Sequence, residues 1–241
     1  MFRKLEEKIN NAQFEPGIIA FFTNPFYIAR QGLYENIKRT GSSITGRTLD
    51  VGCGTKPYEN LFNCSEYIGL EFDTGIDSGK KKADYYYDGK TFPFDDKGFD
   101  SVITSQVFEH IFNPQLFLKE VNRVLKISGK FLLTVPFVWD EHEQPFDYAR
   151  YSSFGLNSIL NENGFRIIEH TKSINDLRVI AQLLNGYLYK ITAKHRIIKR
   201  ITIVCIMPLV NIFGIILSKI FPSNNDLYLD NIILTEKVKD V

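Results

Sequence analysis

The sequence is poor in the residues that build disulfide frameworks and metal clusters. Three cysteines, Cys53, Cys64 and Cys205, share no CxxC spacing, and only four histidines occur in 241 residues. This pattern excludes a disulfide scaffold or a zinc ribbon and predicts free thiols in a reducing compartment. The acidic residues are not spaced as a ligand set, so no metal is expected. An excess of one charge is also lacking, since 29 Lys plus Arg stand against 28 Asp plus Glu. No bulk field draws a polyanion, and nucleic acid is not an expected partner. The opening residues, MFRKLEEKINN, have no apolar run of the secretory kind and are expected to stay in the mature protein.

What is present is organised around Arg47 to Tyr58, RTLDVGCGTKPY. Thr48 to Val51 reads as a short buried strand, Gly52, Cys53 and Gly54 follow, and Pro57 suits the first turn of a helix. A strand running through glycines into a helix presents N–H groups to a nucleotide-like ligand. Gly52 permits the turn, and Gly54 lets a ligand approach the backbone. The same letters also describe an ordinary strand-to-helix turn.

The rest alternates between the helical and strand periods. Residues 2 to 13 are charged and helix-prone, and Asn24 to Arg39 puts Phe26, Ala29, Leu33 and Ile37 on one face. Tyr67 to Phe72 is a second strand, and Ser101 to Thr104 a third of the continuous apolar type found in parallel sheets. Asn113 and Pro114 open an amphipathic helix that Gly129 is expected to end, and Lys130 to Val135 forms the next strand. Ser152 to Asn163 is a helix closed by Gly164, Phe165 to Glu169 a strand, and Asn231 to Leu234 the last strand. This alternation predicts an α/β doubly wound sheet.

Candidate site residues gather at the carboxyl ends of these strands. Glu71 lies 17 residues beyond Gly54, where an acid accepts hydrogen bonds from ribose hydroxyls. Asp73 is its rival for that role. Asp88 is followed by Phe92, Pro93 and Phe94, which read as an apolar wall for an adenine ring. PFVWDEHEQPFDYARY, residues 136 to 151, is too aromatic and too polar for a mere connection. It offers Trp139, Asp147, Arg150 and Tyr151 for substrate binding, and His142 as first candidate for a general base, with His110 as rival. An Asp147–Arg150 pair that only pins the loop is the alternative.

Together, LDVGCG, YIGLEFD, FPFDDKGFDSVITSQVFEHI, EVNRVLKISGKFLLTVP and NENGF resemble the class I S-adenosylmethionine-dependent methyltransferases of the type 11 kind, from about Gly46 to His170 plus the last strand. The resemblance implies a Rossmann-like, mostly parallel seven-stranded sheet whose last strand is antiparallel. It implies S-adenosylmethionine as cofactor, with Asp50, Gly52, Cys53 and Gly54 near its methionine part and Glu71 and Phe72 at the ribose. Asp88 and Gly89 would then meet the adenine, and Ser105 and Gln106 would line the pocket. Lys56 stands where the family often has a third glycine. Its setting, with Pro57, Tyr58 and PFDYARYSSFGL, is similar to methyltransferases of bacterial glycan and cell-envelope pathways.

The expected division is residues 1–45 as an N-terminal helical segment, 46–175 as the cofactor-binding core, 176–226 as a hydrophobic helical insertion and 227–241 as last strand and tail. Ile201 to Phe221 holds one charge, Lys219, and follows Arg196, Lys199 and Arg200. A single crossing would strand the last strand on the wrong side of a bilayer. An in-plane membrane anchor through 197–221, helices packed on the protein or on a twin in a homodimer, and a lid over a lipid-like substrate stay open. Pro208, Asn211 and Gly214 favour a broken helix there. The expectation is a cytoplasmic methyltransferase, with the inner membrane face as a further location, acting on an oxygen of a sugar or lipid-linked glycan. Alternatives are a small aromatic or quinone-like acceptor, a non-catalytic membrane-associated scaffold, and a dehydrogenase, which the incomplete GxGxxG disfavours.

Overall fold

The computed structural model describes residues 13–73 and 81–241. The charged stretch at residues 2 to 13 lies almost wholly outside them. The chain divides into two compact units, one of residues 1–36, 138–140 and 172–230, the other of 37–137, 141–171 and 231–241. Residues 13–36 and the hydrophobic stretch 176–226 fall within the same unit.

The second unit is built on a seven-stranded sheet: β1 (Thr45–Val51), β2 (Asn63–Phe72), β3 (Tyr85–Tyr87), β4 (Phe99–Ser105), β5 (Leu125–Pro136), β6 (Phe165–Ser173) and β7 (Asp230–Lys237). Their order is β3-β2-β1-β4-β5-β7-β6, with the first five parallel and the last antiparallel. The centre of the sheet is covered on both faces, which is why its strands read as unbroken apolar runs. Successive side chains alternate between two cores. Val102 and Phe131 face one with Leu49, Val51 and Leu133, while Ile103 and Leu132 face the other with Ile44, Ile232 and Leu234.

Among the described residues no α-helix follows β1. Gly52 to Phe62 makes only turns and one 3₁₀ turn, Glu59–Leu61, before β2 begins. The expected helix with Pro57 in its first turn is therefore absent.

Two helices of this unit pack on the first core. The helix Pro114–Val124 starts at Asn113, whose side chain accepts from Leu116 N, and it buries Phe117, Leu118 and Val121. It stops at Val124, not at Gly129, because Leu125 already pairs with Phe99 of β4. Lys237, fully buried on β7, donates to Asn122 O (2.7 Å) and Leu125 O (2.9 Å) at that helix end. A cation there satisfies carbonyls that the helix leaves without a partner. The helix Ser153–Glu162 is capped by Ser152 and closed at Gly164, whose φ of +80° and 2.7 Å clearance from Lys239 O admit no side chain.

In chain order the helices are α1 (Ile18–Thr23), α2 (Tyr27–Thr40), α3 (Pro114–Val124), α4 (Ser153–Glu162), α5 (Arg178–Ile191), α6 (Arg196–Ile201) and α7 (Met207–Ile220). In the first unit buried Gln182 of α5 ties the start of α2, accepting from Ala29 N and donating to Pro25 O. Residues Arg196–Ile220 run as one 25-residue helix, reaching a mean hydropathy of 2.4 and long and apolar enough by length and composition to cross a membrane. It does not break at Asn211 or Gly214. A π-turn at Thr202–Ile206 absorbs the irregularity just before Pro208. Gly214 faces Ala181 of α5, and Asn185 donates to Asn211 (2.8 Å).

Candidate active site

The carboxyl ends of β1, β2, β3 and β4 carry the residues expected to hold a cofactor. At Gly52 (φ +76°) a Cβ would lie 2.4 Å from Val107, so only glycine lets the loop after β4 pass. At Gly54 (φ +51°) a Cβ would meet nothing, and open space lies beside the backbone. The loop amides are not free, however. Gly52 N and Cys53 N donate to Leu70 O, and Gly54 N donates to Glu71 Oε2 (3.0 Å). With these amides engaged and no helix N-terminus, the loop does not present the free N–H groups expected of a strand running into a helix.

Glu71 also meets Lys81 Nζ at 3.1 Å. Its rival Asp73 donates its backbone N–H to Tyr87 O. Asp50 is buried and accepts from the Tyr67 hydroxyl (2.7 Å). Burial pushes its carboxyl up to about 7, against the Tyr67 hydrogen bond and with help from the Glu71 charge. Burial, with the Asp50 and Glu71 charges, likewise pushes the Cys53 thiol up to about 12, which keeps it protonated at neutral pH. Lys56 (φ +54°) reaches Asp84 at 2.5 Å, and Asp84 also accepts from Gly69 N. These two bonds outweigh burial and hold the Asp84 carboxyl low.

Asp88 follows β3 in the open and accepts from Lys90 N and Thr91 N, which lower its pKa. The apolar wall expected beside it is not free. Phe92 packs on Tyr87 and Phe117 inside the core, and Phe94 on Tyr85 and Phe99. Exposed aromatic surface nearby comes from Phe72, 43% exposed, whose ring Gly89 leaves room for, and from Tyr85 and Tyr86 of β3. Past β4, Ser105 Oγ pairs with Thr134 Oγ1 (2.9 Å), and Gln106 (φ +57°) donates its backbone N–H to Thr134 O.

A second group lies where the chain leaves β4 and β5. Glu109 is fully buried, and its carbonyl accepts from Tyr148 N and Ala149 N, which fastens the loop after β5 to the turn after β4. That brings His110 and His142 together, their ring centroids 4.9 Å apart. Each Nε2 lies 3.8 Å from Glu109 Oε1. Asp147 accepts from His142 N (3.0 Å), has its Oδ2 3.3 Å from His142 Nδ1, and forms a two-pronged pair with Arg150 at 2.6 and 2.7 Å. The Arg150 guanidinium holds the Asp147 carboxyl down at about 2, against some burial. Tyr151 packs on Phe108, and burial, with the nearby Glu109, raises its hydroxyl pKa. Trp139 belongs to the first unit, where its ring packs against Phe26 at 5.6 Å.

The site residue missed from sequence is Glu109. Its signal was the acid directly before His110, on a turn that must bury one of two neighbours. Glu109, His110 and His142 form a set able to hold a metal ion, their ligand atoms all within 4.8 Å of one another.

Residues 49–133 match the family described as "Methyltransferase domain". That match spans about a third of the chain and supports the methyltransferase class for it. The chain is 26% identical over 141 residues to an uncharacterised protein of Methanocaldococcus jannaschii, covering 54% of this chain and 69% of the relative. Among solved structures it resembles phosphoethanolamine N-methyltransferase 2 of Haemonchus contortus in complex with S-adenosylmethionine, with a TM-score of 0.55 at 18% identity, over 97% of this chain and 57% of that one. It also resembles the cyclase SpnF, with a TM-score of 0.52 at 16% identity, over 87% and 81%. These likenesses establish the Rossmann-like fold. The cyclase among them is a reminder that a fold does not choose a reaction.

Proposed function

We propose that the protein transfers a methyl group from S-adenosylmethionine to a hydroxyl oxygen of a sugar or lipid-linked glycan. The observation that carries the acceptor chemistry is the pair of imidazoles at Glu109, with His142 held by Asp147. A hydroxyl keeps its proton at neutral pH and needs a group to receive it as attack proceeds, and imidazole titrates in the right range. His142, with Nδ1 beside Asp147 and Nε2 turned the other way, suits the role best. His110 is the second candidate.

The cofactor reading fits the residues present. Gly54 leaves its approach open. Glu71, already bonded to Gly54 N and Lys81, keeps free lone pairs on its two oxygens for vicinal hydroxyls, and Asp88 and Phe72 offer an acid and an apolar ring beside it. Asp50 supplies a latent negative charge suited to a cationic ligand. Engaged loop amides suit a nucleoside without phosphates and count against a dinucleotide. When bound, S-adenosylmethionine supplies a methyl group on a good sulfonium leaving group. The protein's own task is then to align the acceptor and exclude water.

Lipid-linked acceptors are supported by the 196–220 helix, whose outer face exposes Ile197, Leu209, Phe213 and Ile220 behind basic Lys194, Arg196 and Arg200. We read this face as peripheral contact with an anionic membrane surface. Calorimetric titration with S-adenosylmethionine and, separately, a nicotinamide dinucleotide tests the cofactor. Saturable binding of the first alone, weakened in Glu71→Ala, is the expected result, and no binding by folded protein refutes it. Co-sedimentation with anionic vesicles tests the membrane reading, and a concentration-dependent dimer that ignores vesicles replaces it with a homodimer.

A further inference from the structure

We propose that Glu109, His110 and His142 bind a divalent metal ion of the zinc, cobalt or manganese kind. The methyl-transfer reading above gives that ion its role but is not needed for its binding. The first argument is distance. Both imidazole Nε2 atoms stand 3.8 Å from Glu109 Oε1. This is too long for a hydrogen bond, which falls at about 2.7 to 3.2 Å. It suits groups that surround an ion, because two ligands bound at about 2.0 to 2.2 Å lie roughly 3.4 Å apart at a tetrahedral angle and up to about 4.3 Å apart in line.

The second argument is independent and concerns the far side of each ring. His110 Nδ1 lies 2.9 Å from Phe146 O. A carbonyl can only accept, so Nδ1 carries the hydrogen and Nε2 presents its lone pair to the space beside Glu109. His142 Nδ1 has Asp147 Oδ2 at 3.3 Å and Arg150 Nη2 at 3.4 Å, and Asp147 is itself locked by Arg150. The carbonyl behind His110 is an outer partner of the kind that orients a metal-binding histidine; at His142 the nearer Asp147 carboxylate, and not the donor-only Arg150, would have to hold Nδ1–H for Nε2 to ligate. The third argument is charge. Glu109 is fully buried, and a divalent ion is a compact counter-charge compatible with a carboxylate at that depth.

Two nitrogens and one carboxylate oxygen favour a borderline ion over calcium or magnesium, and they leave positions open for an outside oxygen. Glu143 Oε2, exposed and 3.8 Å from His110 Nε2, stands at the rim. Charge from the ion would acidify a hydroxyl placed in the open position. The hydroxyl proton then leaves to solvent, the oxygen–carbon bond forms as the carbon–sulfur bond breaks, and the electron pair stays on sulfur. In that loaded state the ion activates the hydroxyl and the two histidines are its ligands; His142 keeps the base role given above only in the metal-free protein.

The test uses untagged full-length protein, stripped with chelator and titrated with cobalt chloride while the visible spectrum is followed. The expected result is one equivalent of cobalt with bands of a nitrogen-ligated, low-coordinate site, displaced by zinc. His110→Ala/His142→Ala should lose at least about 100-fold in affinity, the upper end of what weakening even an outer partner does. Melting curves without metal, for that variant and for Glu109→Gln, separate lost ligands from lost fold. Uptake well below one equivalent, or equal uptake by the folded double variant, overturns the proposal. Because uptake is read without methyl donor or acceptor, failure of the methyl-transfer reading shows separately, as absent S-adenosylmethionine binding.

Discussion

Replacing Asp50 by asparagine should stabilise the protein at alkaline pH and do nothing for it in acid. Asp50 is 6% exposed and its carboxyl titrates at about 7 in the fold, against 3.8 when exposed. Below 3.8 the group is protonated in both folded and unfolded chains and has no effect on their balance. Between the two values the folded protein holds a proton that the unfolded chain has released. Stability therefore falls as pH rises through this window, and above 7 the full penalty applies. A difference of about three pH units corresponds to roughly 4 kcal/mol. Asparagine keeps an oxygen for the Tyr67 hydroxyl and cannot ionise. Urea denaturation of both proteins at pH 4, 6 and 8 should give coincident curves at pH 4 and a growing advantage for the variant, approaching roughly 4 kcal/mol at pH 8. A pH-independent difference between the two proteins would refute the reasoning, since it would mean that Asp50 does not titrate in this range. The same ionisation would serve function: a cationic ligand beside Asp50 favours the charged form, so Asp50→Asn should bind S-adenosylmethionine more weakly while being the more stable protein.

Three further outcomes follow from the packing. Lys237→Met should cost about 3 kcal/mol in urea with an unchanged m-value, because it strips Asn122 O and Leu125 O of their buried donor; a neutral result would show that water reaches that helix end. Gly164→Ala should cost roughly 2 kcal/mol, since its φ is +80° and the new carbon would lie 2.7 Å from Lys239 O. Gly155→Ala, inside α4 with a Cβ no closer than 3.5 Å to Ser152 Oγ, should instead gain about 0.5 kcal/mol, and thermal melts of the two glycine variants check both values.

The strands were readable because each core strand is buried on both sides and carries an apolar run, as at Ser101–Thr104, observed within Phe99–Ser105. The helix starting at Pro114 announced itself through the Asn-Pro start. Its end did not, because what stops it is pairing of Leu125 with a strand 26 residues earlier, and periodicity does not see partners. Gly52, Gly54 and Pro57 looked like a strand-to-helix junction, yet Leu70 O and Glu71 take the loop amides and β2 follows at once. Spacing predicts Glu71 at a strand end; it says nothing of whether the carboxylate will already be bonded to Gly54. Phe92 and Phe94 were misread for a similar reason, since an aromatic beside an acid can face a ligand or its own core. The histidines were visible as letters. Their meeting at Glu109 depends on a loop folding back over 30 residues, which only the tertiary structure reveals.

The position of β7 bears on how the protein is made. It is the last of the seven strands to leave the ribosome, yet it lies inside the sheet between β5 and β6. Until it is translated, β5 has an open edge and β6 has no neighbour to pair with. At about 5–20 residues per second, synthesis from the end of β6 to the start of β7 takes roughly 3 to 11 seconds. During that interval the whole 196–220 helix has been made while the sheet is still incomplete. A nascent chain in this condition exposes both an unpaired strand edge and its most apolar segment, so folding is committed late, and a premature stop before Asp230 would remove the sheet's keystone and not its margin.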